Sequence, residues 1–104
     1  MAKVATNTNF PELLLGNKLV IVDFWATWCG PCRMLSPILD EVEEEMADQI
    51  AVVKVNVDDA EEIAAQFRIM SIPTLLFFKN GQMVDKTVGA MPKATLVERI
   101  KANL

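Results

Sequence analysis

The chain has 104 residues, and 10 Lys and Arg against 14 Asp and Glu leave a formal net charge of −4 at neutral pH. With 52% hydrophobic residues and enough length to bury about two-thirds of its unfolded surface, it is expected to form one globular domain, residues 1–104, and not a disordered or fibrous chain. The acidic balance and the lack of any Lys or Arg block exclude the electrostatic footprint of a nucleic-acid or anionic-lipid partner, and the apolar runs are far too short to span a membrane. The opening residues, Met1-Ala2-Lys3-Val4-Ala5-Thr6-Asn7, lack the apolar stretch of a secretory signal, which points to a cytoplasmic location. Histidine is absent, so His-dependent triads, His-ligated zinc and imidazole bases are excluded, and cysteine must carry any unusual chemistry.

In chain order, Val4 is placed in an edge strand and residues 10–15 in a short first helix. Residues 19–25, Leu-Val-Ile-Val-Asp-Phe-Trp, are nearly continuous in β-forming residues and predict a strand buried on both faces; residues 50–57 read the same way. Between them Leu35, Ile38, Leu39, Val42 and Met46 recur at helical spacing, while Glu41, Glu43, Glu44 and Glu45 fall mostly off that stripe. Strand, helix, strand implies a parallel pair with a right-handed crossover. Asp58 and Asp59, followed by Glu61 and Glu62, offer acceptor side chains and favourable charge at the start of a second short helix reaching Phe67. Residues 74–79 and 83–88 flank Asn80-Gly81, a strong hairpin signal, so the sheet ends in an antiparallel pair. Residues 93–104 put Leu96, Val97, Ile100 and Leu104 on one helical face. The class is α/β, a mixed sheet with helices on both faces.

The only two cysteines lie in Trp28-Cys29-Gly30-Pro31-Cys32, just beyond the carboxyl end of the first long strand, where open α/β sheets place reacting groups. Pro31 suits a first helical turn, because its missing N–H loses no helix bond there. Cys29 then sits at the cap, with free N–H groups and the positive end of the helix dipole aimed at its sulfur, an arrangement that lowers a thiol pKa. Cys32, one turn further on, is placed to attack that sulfur and close an intramolecular disulfide, so Cys29 is the nucleophile and Cys32 the resolving thiol. A purely structural staple is the bland alternative, yet a four-residue ring yields only about 2 kcal/mol and a cytosol would keep it reduced. Zinc or an iron–sulfur cluster needs four ligands, of which one chain supplies two, so no metal is expected.

Asp23 is an acid inside an apolar strand, where desolvation raises its pKa. Lys54 is alone among Val53, Val55 and Val57. On the residues alone, a functional pair and a strand-end pair with the lysine head reaching water weigh equally. Pro37 bends the long helix, Gly89 marks a bulge or a close backbone approach, and Trp28, in a tight loop, is expected to be partly exposed rather than packed in the core. Trp25 is read as mainly core, and Met70 is a possible edge of any surface near Ser71.

Asp23-Phe24-Trp25-Ala26, Trp28-Cys29-Gly30-Pro31-Cys32, Pro37, Ser71-Ile72-Pro73-Thr74, Asn80-Gly81 and Val88-Gly89-Ala90 together, in this order, resemble the thioredoxin family from about Val4 to the end. The resemblance implies a thioredoxin fold, a central mixed sheet flanked by four helices, and a general protein-disulfide reductase without bound cofactor. It implies disulfide-containing target proteins and recycling by thioredoxin reductase; a monomer is expected. It makes Asp23 the proton acceptor for Cys32, through water, with Lys54 modulating its charge and Gly30 and Pro31 tuning the redox pair. Sequence alone favours a trans Ile72-Pro73 bond, whereas the resemblance implies cis. Trp28, Gly30, Pro31, Ile72, Pro73, Gly89 and Ala90 would then form the apolar substrate-docking region. Thr27 stands where proline or an acid is common in the family, and Arg33 where lysine is also common. Two competing readings are a redox-independent binding module and an oxidase or isomerase, the last of which usually has histidine between the cysteines.

Overall fold

The computed structural model describes residues 2–104. In chain order it contains β1 (Lys3–Val4), α1 (Phe10–Leu13), β2 (Leu19–Trp25), α2 (Gly30–Glu45), β3 (Ile50–Asn56), α3 (Glu61–Gln66), β4 (Thr74–Lys79), β5 (Gln82–Val88) and α4 (Lys93–Ala102). The sheet order is β1-β3-β2-β4-β5. The first three strands of that order run parallel to one another, and β4 and β5 follow as antiparallel neighbours. This is the expected α/β architecture, a mixed sheet with four helices.

Strand alternation divides the core in two. Leu19 and Ile21 of β2, Ile50 and Val52 of β3, and Leu75 and Phe77 of β4 pack with Leu35, Leu39 and Val42 of α2 and Leu96 and Ile100 of α4. Val20, Val22 and Phe24, Val53 and Val55, and Leu76 and Phe78 face the other way, toward Phe10 of α1 and Ile63 of α3. On that side Phe67 stacks edge-on against Phe10, Phe24 and Phe78, with ring centroids 5.7, 6.2 and 5.8 Å apart. Each such pair contributes about 0.5–1.5 kcal/mol beyond its area burial. β2 is buried along nearly its whole length, as a strand sandwiched between two helical layers must be.

Four local expectations change. α1 ends at Leu13, because Leu14 and Leu15 N–H donate to Pro11 and Glu12 carbonyls at 3.4 and 3.3 Å, tightening the turn before Gly16. Asp58 and Asp59 do not cap α3: the cap is Ala60, without a side-chain bond. Instead Asp59 and Ala60 N–H bond the Asn56 carbonyl in a turn that precedes the helix, and Glu61 and Glu62 retain the favourable first-turn charge. Leu104 lies past the α4 cap residue Asn103 and is 42% exposed; its carbonyl, not its side chain, is held, by Lys79 Nζ at 2.6 Å. Finally, β5 begins one residue earlier than expected, at Gln82, because Asn80 and Gly81 both take positive φ, 54° and 80°, and complete the reversal in two residues. Among the described residues no helix is long and apolar enough to cross a membrane.

Candidate active site

β2 and α2 build the site between them. Cys29 caps α2 with extended backbone, φ −89° and ψ 109°, and its Sγ accepts the Cys32 N–H at 3.2 Å. Pro31 lies in the first turn, where no helix bond is lost. α2 continues through Pro37, whose missing N–H leaves the carbonyl of Arg33 without its usual helical donor. The two cysteines are joined by a disulfide, with Cα atoms 5.3 Å apart. Both are almost equally covered, 4% and 3% exposed, so what separates them is what each sulfur faces.

Cys29 looks toward the Ile72-Pro73 loop. Its Sγ lies 3.8 Å from the Ile72 carbonyl, and the Ile72-Pro73 bond is cis. Ile72 is half-buried and packs on the cluster formed by Ala26, Cys29 and Cys32. Pro73 itself is buried, so it supports this surface from beneath and does not present a face to solvent. Its carbonyl accepts the Gly89 N–H at 2.8 Å, bringing the end of β5 to the same loop. Gly89 has φ +96°, a left-handed conformation that only glycine adopts at no steric cost. Ala90 and Pro31 are exposed, Gly30 is half-buried, and Met70 stands 93% exposed two residues before Ile72.

Trp28 is 68% exposed, as expected from its tight loop. Its ring is nevertheless fixed: the indole N–H donates to Asp58 Oδ2 at 2.9 Å, and Asp58 N–H in turn donates to Asn56 Oδ1 at 2.9 Å. Sequence reading assigned Asp58 to helix capping and missed this contact. The available signal was an Asx pair, Asn56 and Asp58, at the carboxyl end of β3, beside the end of β2 that leads to Trp28.

Cys32 faces the opposite way, into a cavity of about 320 Å³ lined by Asp23, Trp25, Ser36, Asp40 and Lys54. Asp23 and Lys54 are register partners on β2 and β3. Asp23 is 2% exposed; its Oδ2 lies 3.3 Å from Lys54 Nζ, while Oδ1 has no hydrogen-bond partner among the described residues. Burial pushes the Asp23 carboxyl above its ordinary pKa, and the neighbouring Asp40 charge adds to this; Lys54 pulls the other way without overcoming burial. Lys54 is not a strand-end residue with its head in water. Its side chain is 14% exposed, and Nζ donates to Ser36 Oγ at 2.7 Å. Trp25 is half-buried with its indole N–H also unpaired among the described residues.

The arrangement supports two-electron thiol chemistry: a cap position that favours a thiolate, a second sulfur within bonding reach, and a buried acid on the far side. The thioredoxin family model matches residues 1–102. Thioredoxin 1 of Synechococcus elongatus is 48% identical over 105 residues, covering all of this chain and 98% of the relative. The thioredoxin of Pyropia yezoensis is 52% identical, covering 91% of this chain and 90% of its own. A chloroplastic M-type thioredoxin of Pisum sativum is 48% identical over 95% of this chain and 58% of its own. The chain therefore belongs to the thioredoxin family, and its Cys29–Cys32 pair makes it a disulfide oxidoreductase that works by dithiol–disulfide exchange.

Proposed function

We propose that Cys29 supplies the attacking thiolate and Cys32 the resolving thiol of a general protein-disulfide reductase. The observation that carries this assignment is the cap geometry: Cys29 Sγ accepts the Cys32 N–H at 3.2 Å and stands at the positive end of a 16-residue helix, which stabilises negative charge on that sulfur and not on Cys32. In the first step Cys29 attacks one sulfur of a target disulfide, releasing the other as a thiolate and forming a mixed disulfide. Cys32 then gives up its proton and attacks Cys29 Sγ, releasing the second target thiol and leaving the Cys29–Cys32 disulfide. Two electrons pass to the target, and a reductase must return them.

Asp23 is the acceptor of the Cys32 proton. It lines the same cavity as Cys32, and burial makes its carboxylate a stronger base than an ordinary aspartate. The cavity is large enough for water to carry the proton between them. Lys54 tempers that basicity. Gly30 and Pro31 add no charge or donor to the Cys29 sulfur, which keeps the pair reducing. Trp28, Gly30, Pro31, Ile72, Gly89 and Ala90, with Pro73 beneath, form the surface against which a target segment lies, and the Ile72 backbone is the edge with which an extended segment pairs. All of these groups come from one chain, which suits a monomer. The use of both cysteines in an exchangeable pair suits a thiol-reducing compartment, here the cytoplasm, with thioredoxin reductase as the recycling partner.

Trapping tests the roles. Cys32→Ser should accumulate mixed disulfides with target proteins on non-reducing gels, and Cys29→Ser few. Equal trapping by both variants reverses the assignment. Wild-type protein that fails to reduce insulin disulfides with dithiothreitol as donor would instead leave a redox-independent binding module.

A further inference from the structure

We propose that Ser36 is a positioning residue for the exchange reaction: its hydroxyl holds the Lys54 ammonium between the buried Asp23 and the exposed Asp40. Cys32, Ser36 and Asp40 recur every four residues of α2 and so share one face of the helix, and all three line the cavity that also holds Asp23 and Lys54. Lys54 Nζ meets three oxygens there, Ser36 Oγ at 2.7 Å, Asp23 Oδ2 at 3.3 Å and Asp40 Oδ1 at 4.0 Å. The shortest contact is thus to the one neutral partner.

Coulomb attraction alone would draw the ammonium onto Asp23, the nearer and better-buried charge. A neutral acceptor at hydrogen-bond distance opposes that movement. Ser36 thereby limits how far Lys54 offsets the burial of Asp23, and leaves Asp23 basic enough to take a proton from Cys32. The titratable groups that share the cavity with Asp23 are Lys54 from β3 and Arg33, Asp40 and Cys32 from α2, while Val4 of β1 and Leu75 of β4, the register partner of Asp23, are apolar. The only lysine among them is the one that Ser36 holds.

The catalytic part of this inference rests on Asp23 being the proton acceptor, and the experiment keeps the two apart. The oxidised protein is suited to it, because the chain has no histidine and the disulfide removes both thiols from titration. The Asp23 carboxyl carbon is followed by NMR against pH in the oxidised wild type, Ser36→Ala, Ser36→Thr, Lys54→Met and the Ser36→Ala/Lys54→Met double variant. In Ser36→Ala the midpoint falls, raising the ratio of ionised to neutral Asp23 at a fixed pH near it by at least about twofold. Ser36→Thr keeps the wild-type midpoint, and in the Lys54→Met background Ser36→Ala has no effect. Thermal melting of each variant confirms that the fold is retained.

An unmoved midpoint in Ser36→Ala overturns the proposal, as does a shift that survives in the Lys54→Met background, since Ser36 would then not act through Lys54. Stopped-flow reduction rates against pH for Asp23→Asn test the underlying reading separately. An unchanged profile there removes the catalytic consequence, while the titration still decides whether Ser36 positions Lys54.

Discussion

Asp23 and Asp85 each meet a basic side chain from a neighbouring element, and their surroundings drive them in opposite directions. Asp23 is buried between β2 and α2 with one oxygen unpartnered among the described residues, and its pKa is raised chiefly by burial. Asp85, on β5, is fully occupied: Arg99 reaches it through Nε at 2.5 Å and Nη2 at 2.8 Å, and Asn103 Nδ2 donates at 2.8 Å. These hydrogen bonds, the Arg99 bond foremost, hold the Asp85 carboxyl well below the usual carboxylate range. The difference shows how one residue type serves two ends. The carboxylate proposed to exchange a proton is under-satisfied next to a cavity, whereas the one that fastens α4 to the hairpin is held by donors from Arg99 and Asn103.

The largest break in this contrast is expected from Asp23→Asn. Without the buried carboxylate of Asp23 in the cavity, disulfide reduction near pH 7 should slow by roughly tenfold or more and lose part of its pH dependence, measured by stopped-flow fluorescence. Rates unchanged from pH 6 to 9 would make Asp23 structural.

The next effect is on stability, with opposite signs at the two sites. Asp23 has a folded pKa above its ordinary 3.8, so its ionisation disfavours the fold. The penalty is absent below the unfolded value, grows as pH rises to the folded value and is constant above it. Asp23→Asn should therefore raise Tm at pH 8, with the gain vanishing near pH 3. Asp85 has a folded pKa below 3.8, so its contribution is fully present above the unfolded value and is lost as pH falls through the folded one. Asp85→Asn should lower Tm at pH 7 by roughly 2–4 °C, less at 1 M salt because Arg99 is exposed, and should approach the wild type in acid. Parallel rather than opposite pH trends for the two variants would undo the comparison.

Asp58 offers the smallest test, as a third carboxylate whose side chain accepts from an exposed indole. Asp58→Ala should leave stability nearly unchanged and slow reduction of a protein target about two- to threefold, because a mobile Trp28 loses ordering entropy on docking. An equal loss with a small-molecule disulfide would argue against a docking role.

Much of the site was legible because its information is local. The Asn80-Gly81 turn needs only two residues that accept positive φ, and both do. The cap at Cys29 follows from Pro31 and the helix that begins beside it. Asp58 misled for the same reason: a carboxylate just before a helix is ordinarily a cap, and only the approach of Trp28 from the end of β2 gave it another partner. The cis Ile72-Pro73 bond was likewise outside local energetics, which favour trans, and was implied by family resemblance.

By itself the sequence determined the order and kind of elements, the helix-start position of the first cysteine and the one-turn spacing of the second, since each depends on neighbours within a few residues. Tertiary structure alone decided that Lys54 points inward, that it rests on Ser36, and that Asp23 and Cys32 open onto one cavity. Those contacts follow from the register of β2 against β3 and the seating of α2 across both. Alternation tells which face a strand residue takes but not what helix residue will be waiting there, because that depends on packing between segments distant in the chain.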